Sequence, residues 1–235
     1  MKIGIDIRTL MDERFSGVSE FTRHLLEALF AMDQDNEYVL FYNSYKDISE
    51  RLPDFVKDKE TINPGWPNKV FNYLLAKPFN IPKIDKKLAC DLLYLPHFNF
   101  TGVDKAPIVQ TVHDLSFLRY PEMFSRRKNL WHSALNIKKQ LQRARTVVAG
   151  SESTRQDMID LIGLAESKVK TVYPGLNPGF RPLLYDSEEL ERVRQQYELP
   201  DNFILYLGTI EPRKNIEGLI KAYGILSADL KDDAP

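Results

Sequence analysis

One cysteine, Cys90, stands in 235 residues, so no internal disulfide can form, and a reducing compartment fits the chain. No apolar run approaches the roughly 20 residues that a membrane span requires. The opening Met1-Lys2-Ile3-Gly4-Ile5-Asp6-Ile7-Arg8 is too short and too interrupted for the apolar stretch of a secretory signal. The expected setting is therefore the cytoplasm, with the protein soluble or held at the inner membrane face. There is no excess of charge: 32 Lys and Arg against 33 Asp and Glu, net −1, which argues against a general nucleic-acid binder. Gly-x-Gly-x-x-Gly is absent, which disfavours a dehydrogenase. A hydrolase would need two carboxylates flanking one bond, and only Asp114 and the distant Glu211 offer themselves on strand-end loops. No metal-ligand cluster is expected, nor any internal repeat.

What is present is an ordinary globular composition, 43% hydrophobic and 28% charged. Ile3, Ile5 and Ile7 alternate with Gly4, Asp6 and Arg8, a strand signal. Phe21, Leu25, Ala28, Leu29 and Met32 are spaced for one buried helix face, and Tyr38 to Tyr42 form a second strand. Strand–helix–strand at this spacing is a βαβ unit and implies a parallel sheet. From about Asn43 to Lys87, prolines at 53, 64, 67, 78 and 82 argue against long helices. Further strands are expected at Asp91–Leu95, Ile108–Val112, Thr146–Ala149 and Val169–Tyr173. A helix from about Ser125 to Arg145 would carry Leu130, Trp131, Ala134, Leu135 and Leu141 on one side. Ser151 or Ser153 can cap another helix that buries Met158, Ile159 and Ile162.

Pro174-Gly175, Pro178-Gly179 and Pro182 mark a turn-rich linker. An acidic helix, Ser187 to Tyr197, leads to Phe203–Leu207, read as a new buried strand, and to a helix from about Asn215 to Leu230. The expected organisation is one Rossmann-like α/β domain over 1–180, a linker over 181–201 and the start of a second over 202–235. A parallel strand is normally buried on both faces, and one strand with one helix cannot achieve that. Either this piece packs on the first domain, or it finds a partner chain, or the sequence is a truncation of a longer enzyme, which is the favoured reading; the unfinished sheet also makes self-association plausible.

Leu207-Gly208-Thr209-Ile210-Glu211-Pro212-Arg213-Lys214-Asn215 sits between the expected strand and helix. Gly208 permits a tight turn. Arg213 and Lys214 fall where a helix begins, and free N–H groups with two cations make an anion site suited to a diphosphate. The alternative is a pair of solvated first-turn cations. His113 and Asp114 follow the strand Ile108–Val112, at the sheet edge where open α/β folds bind ligands. The alternative for His113 is a loop-shaping hydrogen bond, and Asp114 reads as an orienting or capping residue. Ser16-Gly17 opens the first helix, where a glycine allows a ligand close to backbone amides; a plain turn glycine is the other reading. His97 follows the strand ending at Leu95 and either lines a cleft or packs against Phe98 and Phe100. Arg8 and Glu20 flank the same edge, where they could meet a ligand, with surface polarity the favoured reading; His24 and His132 read as ordinary helix residues. From Met123 to Ser151 there is no Asp or Glu, while Arg126, Arg127, Lys128, Lys138, Lys139, Arg143 and Arg145 are present with Leu130 and Trp131. That stretch is either a membrane-surface helix or a solvated basic face.

Gly208-Thr209-Ile210-Glu211-Pro212-Arg213-Lys214-Asn215 resembles the donor-phosphate motif that opens the second domain of family 4 glycosyltransferases (GT4). The resemblance continues through Gly4-Ile5-Asp6-Ile7-Arg8, Phe15-Ser16-Gly17-Val18, Thr111-Val112-His113-Asp114-Leu115, Gly150-Ser151-Glu152-Ser153-Thr154 and Val172-Tyr173-Pro174-Gly175. It implies the two-Rossmann-domain GT-B fold and retaining transfer of a mannosyl, rhamnosyl or glucosyl group from a nucleotide-diphosphate sugar to a glycan or lipid-linked acceptor, without a metal or other cofactor. It places the acceptor on the first domain, the donor on the second, and His113 against the transferred sugar as the catalytic candidate. Gly17, Gly208, Thr209, Arg213 and Lys214 would bind the donor diphosphate, and Ser16, His97, Asp114 and Ser151 would line the acceptor side. Two departures stand out. Thr209 occupies a position where many relatives carry Arg, and no Glu-x7-Glu element follows Lys214. The chain alone is therefore expected to show little or no transferase activity. A non-catalytic acceptor-binding or subunit module is the alternative.

Overall fold

The computed structural model describes residues 1–11, 16–76, 81–177, 179–184 and 187–226. Phe15, Pro78, Pro178 and the expected helix end at 227–230 lie outside the described residues. The chain divides into two compact units, Met1–Gly175 and Leu176–Pro235, five residues earlier than the expected boundary at 180.

In the first unit the strands are β1 (Lys2–Asp6), β2 (Glu37–Phe41), β3 (Glu60–Ile62), β4 (Leu92–Leu95), β5 (Ile108–Val112), β6 (Thr146–Ala149) and β7 (Val169–Thr171). They form one seven-stranded sheet in the order β3-β2-β1-β4-β5-β6-β7, with every neighbouring pair parallel. The fold is α/β and Rossmann-like. The helices are α1 (Gly17–Met32), α2 (Asn68–Ala76), α3 (Ile84–Leu88), α4 (Ser116–Arg119), α5 (Arg126–Leu135), α6 (Ile137–Arg143) and α7 (Glu152–Asp157).

Burial on both sheet faces follows from the alternation of side chains along each strand. Ile5, Ile7 and Leu40 pack with Leu26 and Phe30 of α1 on one side. Val39, Phe41, Leu93 and Leu95 join the larger core with α2 and α3 on the other. Gly4 serves that second face. A Cβ there would lie 2.7 Å from Leu88 Cδ1 and 2.9 Å from Cys90 Sγ, so its small size lets α3 sit against β1.

Several local expectations shift. The buried stripe of α1 is Ser19, Thr22, Leu26 and Phe30, and Met32 is exposed. Two hydroxyls hid this stripe from a count of apolar residues: Ser19 is satisfied by the capping box with Ser16, and Thr22 Oγ1 donates to the Val18 carbonyl. The single helix expected over 125–145 is two, α5 and α6, broken where Asn136 takes a left-handed conformation at φ 48°. Asparagine tolerates that conformation at a helix end. Leu135, Ile137 and Leu141 are buried, but Leu130 and Ala134 face outward, and Trp131 is 38% exposed with its ring edge-on to Phe100 at 6.4 Å. After α7, Met158–Ile162 forms a π-helical turn that buries Met158 and Ile162, while Ile159 is half-buried. β3, which the sequence reading missed, adds a short edge strand beside β2.

The second unit holds α8 (Glu188–Tyr197), capped by Ser187, and α9 (Ile216–Ile225). The strand expected at Phe203–Leu207 does not form. Among the described residues nothing pairs with it, and Leu205 and Leu207 are 74% and 91% exposed. A parallel strand needs a neighbour for its N–H and C=O groups, and the apolar run alone supplies none.

Candidate functional site

The strand order reverses direction between β1 and β4. Chain connections leave to opposite sides there, so a crevice opens at the carboxyl ends of these strands. β1 delivers Asp6 and Arg8 to that edge, β4 delivers Pro96 and His97, and the adjacent β5 delivers His113.

The segment after β4 is held by four side chains from three parts of the chain. His113 Nε2 bonds the Pro96 carbonyl at 3.0 Å, Gln110 Nε2 donates to the His97 carbonyl at 3.3 Å, and Gln140 Nε2 donates to the Asn99 carbonyl at 2.8 Å. One terminal nitrogen of Arg8 donates to the Phe100 carbonyl at 2.8 Å. Arg8 is not surface polarity. Its side chain is 7% exposed and forms a two-pronged ion pair with Asp6, itself 5% exposed, at 2.5 to 3.1 Å. The guanidinium carbon lies 5.5 Å and 5.7 Å from the ring centres of Phe41 and Phe71, so aromatic faces cover the cation. A charge written two residues after a strand reads as exposed. Here it is buried because the loop from β4 folds over it.

His113 is half-buried. A carbonyl only accepts, so the bond to Pro96 assigns the proton to Nε2 and leaves the Nδ1 lone pair available. The Phe21 ring meets the imidazole edge-on at 5.0 Å. Burial pulls its pKa below the usual histidine value, against opposing effects of the Pro96 bond and Asp114. His97 lies 6.2 Å away, ring to ring, and is pushed down to about 4 by burial, with His113 adding to the shift. Two neutral imidazoles therefore stand side by side at the crevice. Both sites resist protonation, whereas an unfolded histidine takes a proton near 6.5. Stability should thus fall as pH drops from about 6.5 towards 4, where the unfolded state binds more protons. Urea unfolding at pH 7, 5.5 and 4.5 tests this: a His97→Gln variant should lose less stability over that range than the parent, and an equal loss in both would refute it.

The remaining candidates take local positions. Asp114 accepts from Ser116 N at 3.0 Å and Ser116 Oγ at 2.6 Å, turning the chain into α4. Ser151 caps α7 by accepting from Thr154 N at 3.1 Å, and Thr154 Oγ1 donates to the His113 carbonyl at 3.2 Å. Thr154 was not singled out as a site residue; as the third residue of a capped helix it resembles any other first-turn threonine. Ser16 caps α1, and a Cβ at Gly17 would meet nothing within 4 Å among the described residues. Glu20 pairs with Arg23 at 2.9 Å. His24 lies between Glu20 and Glu27. His132 stacks on Phe117 at 4.0 Å, with Nδ1 buried and unpartnered among the described residues. In the second unit Pro212–Lys214 make one 3-10 turn just before α9, and Arg213 Nε bonds Glu211 at 2.8 Å. A Cβ at Gly208 would sit 2.7 Å from the Tyr206 hydroxyl, and Thr209 beside it is exposed. Among the described residues no three His, Cys, Asp or Glu side chains group as metal ligands do. No helix there is long and apolar enough to cross a membrane.

Comparison with known proteins adds the following. The model of Glycosyltransferase Family 4 matches residues 15–180. The serotype-specific mannosyltransferase WbdA of Escherichia coli is 35% identical over 123 residues, covering 52% of this chain and 15% of WbdA. O-antigen chain mannosyltransferase B of Escherichia coli is 29% identical over 139 residues, covering 59% of this chain and 34% of that protein. Among solved structures, Anabaena HepE in complex with UDP-glucose superposes with a TM-score of 0.59 at 19% identity, covering all of this chain and 59% of HepE. At that identity the likeness concerns the fold. The chain covers less than two thirds of the length of each of these proteins.

Proposed function

Because the chain belongs to glycosyltransferase family 4, we propose that it serves the transfer of a hexosyl group from a nucleotide-diphosphate sugar to a glycan or lipid-linked acceptor, with retention of configuration and without a metal. Mannosyl transfer leads among the sugars, since the curated relatives named above are mannosyltransferases. The observation that carries the reading is His113: a neutral imidazole fixed at the end of β5 by its bond to Pro96, with Nδ1 free to accept from a sugar hydroxyl. His97 and the β4 loop form the acceptor wall beside it, with Asp114, Ser16 and Ser151 shaping its edge. Gly17 leaves the amides at the start of α1 approachable. In the second unit Arg213 and Lys214, with Gly208 and Thr209, would receive the diphosphate. Arg213 would exchange Glu211 for a phosphate oxygen, and the leaving anion is stabilised by cations and amides.

Titration calorimetry with UDP and GDP tests the donor half. The parent chain should bind weakly and an Arg213→Ala/Lys214→Ala variant should not; absence of binding in the parent removes the donor assignment from this chain. Little or no turnover is expected from the chain alone, and sugar transfer by the purified protein would overturn that part. One observation favours a second reading, a non-catalytic acceptor module completed by another polypeptide or another copy: the apolar run Phe203–Leu207 is exposed and unpaired among the described residues. A sedimentation mass that rises with protein concentration would support self-association.

A further inference from the structure

The outer face of α5 has a composition that the reaction does not require. Arg126, Arg127 and Lys128 open the helix, all exposed, and none forms an ion pair among the described residues. Leu130 is 72% exposed and Trp131 38%. The helical repeat puts Leu130 one turn after Arg126 on the outward face and Trp131 one turn after Arg127 at its border, where the indole meets the Phe100 ring edge-on at 6.4 Å. Leu135, one turn after Trp131, is buried, so the Arg127–Trp131 line runs along the border of the outward face and Leu130 stands nearer its centre. The break at Asn136 turns the chain, and Lys138 and Lys139 of α6 are again exposed and unpaired among the described residues. Between Leu115 and Ser151 the sole carboxylate is Glu122. Tyr120 and Met123, leading into the helix, are exposed as well.

We propose that this face of α5 docks the protein on an anionic lipid bilayer, with Leu130 and Trp131 entering the headgroup boundary and the neighbouring cations meeting lipid phosphates. Charge complementarity calls for an anionic partner. The apolar residues set among the cations select a bilayer over a soluble polyanion, which would leave Leu130 and Trp131 in water. The surface goes beyond the transfer reaction and stands whether or not the chain turns over a sugar.

The test uses the full chain carrying Trp66→Phe, which leaves Trp131 as its one tryptophan. Flotation is run with phosphatidylcholine vesicles with and without phosphatidylglycerol. Binding is expected with phosphatidylglycerol only, weakened by salt, with a blue shift of Trp131 emission. At roughly fivefold per basic residue, an Arg126→Gln/Arg127→Gln/Lys128→Gln variant should lose on the order of 100-fold in partitioning. Leu130→Glu should also abolish binding, and unchanged circular dichroism in both variants shows that the fold is kept. Absence of parent binding, equal binding by either variant, or flotation with no change in Trp131 emission overturns the proposal. So does binding to soluble polyglutamate in place of vesicles.

Discussion

Replacing Arg8 by Met should destabilise the first unit by about 3–5 kcal/mol, the loss typical of a buried ion pair deprived of one partner. Asp6 would stay where it is, 5% exposed at the end of the central strand, with its negative charge uncompensated. The Phe100 carbonyl would lose its donor at the same time. Methionine keeps most of the side-chain volume between Phe41 and Phe71, so the loss reports electrostatics and hydrogen bonding more than a cavity. Denaturant unfolding measures it. An Asp6→Asn/Arg8→Met double variant should recover a substantial part, since the stranded charge is then gone. A loss below about 1 kcal/mol for the single change would mean that the pair is solvated and that the β4 loop is held by its other contacts. Hydrogen exchange offers a second readout. The amides of 97–101 should open more readily in Arg8→Met, because one of the four anchored carbonyls is released.

An Asp85→Ala variant should lose on the order of 4 kcal/mol, because each donor left without a partner in a buried setting costs about 1–3 kcal/mol. Asp85, in the first turn of α3, is buried and accepts the backbone N–H groups of Asp104 at 2.9 Å, Lys105 at 2.9 Å and Ala106 at 3.1 Å. These amides form the turn that leads into β5, so the carboxylate ties α3 to the strand that carries His113. Burial alone would raise its pKa, but the amides of Ala106, Asp104, Lys105 and Lys86 outweigh it and hold it below the usual carboxylate value. The contribution is therefore complete above the unfolded value of about 3.9 and is lost as pH falls through the lower folded value. Urea unfolding at pH 7 should show the full difference between parent and variant, and at pH 3 a smaller one. A difference that stayed constant or grew on acidification would refute the assignment.

Six of the seven strands were legible, because each is a short apolar run ending in polar or small residues. Glu60-Thr61-Ile62 was not. It is three residues long at a sheet edge, and only the pairing with Val39, Leu40 and Phe41 makes it a strand. Phe203–Leu207 is the opposite case, a run with every local mark of a strand but without a neighbour among the described residues. The break at Asn136 had a readable signal, an asparagine where a left-handed residue fits. In the site, the position of His113 followed from the end of its strand. The anchoring of 96–100 did not, because Arg8, Gln110, His113 and Gln140 lie scattered along the chain and meet only when β1, β4, β5 and α6 are assembled.

By itself the amino-acid sequence determined the parallel α/β class, the order of most elements, the motifs that place the chain in family 4, and the carboxylate-free basic stretch after Met123. These depend on period, turn chemistry and local composition, which act over a few residues. Tertiary structure alone decided that β1 lies beside β4, which opens the crevice, that Arg8 is buried against Asp6, and that Leu130 is left exposed. Each depends on which distant surfaces meet when the sheet assembles. A residue's burial is set by what covers it, and local pattern carries no record of that.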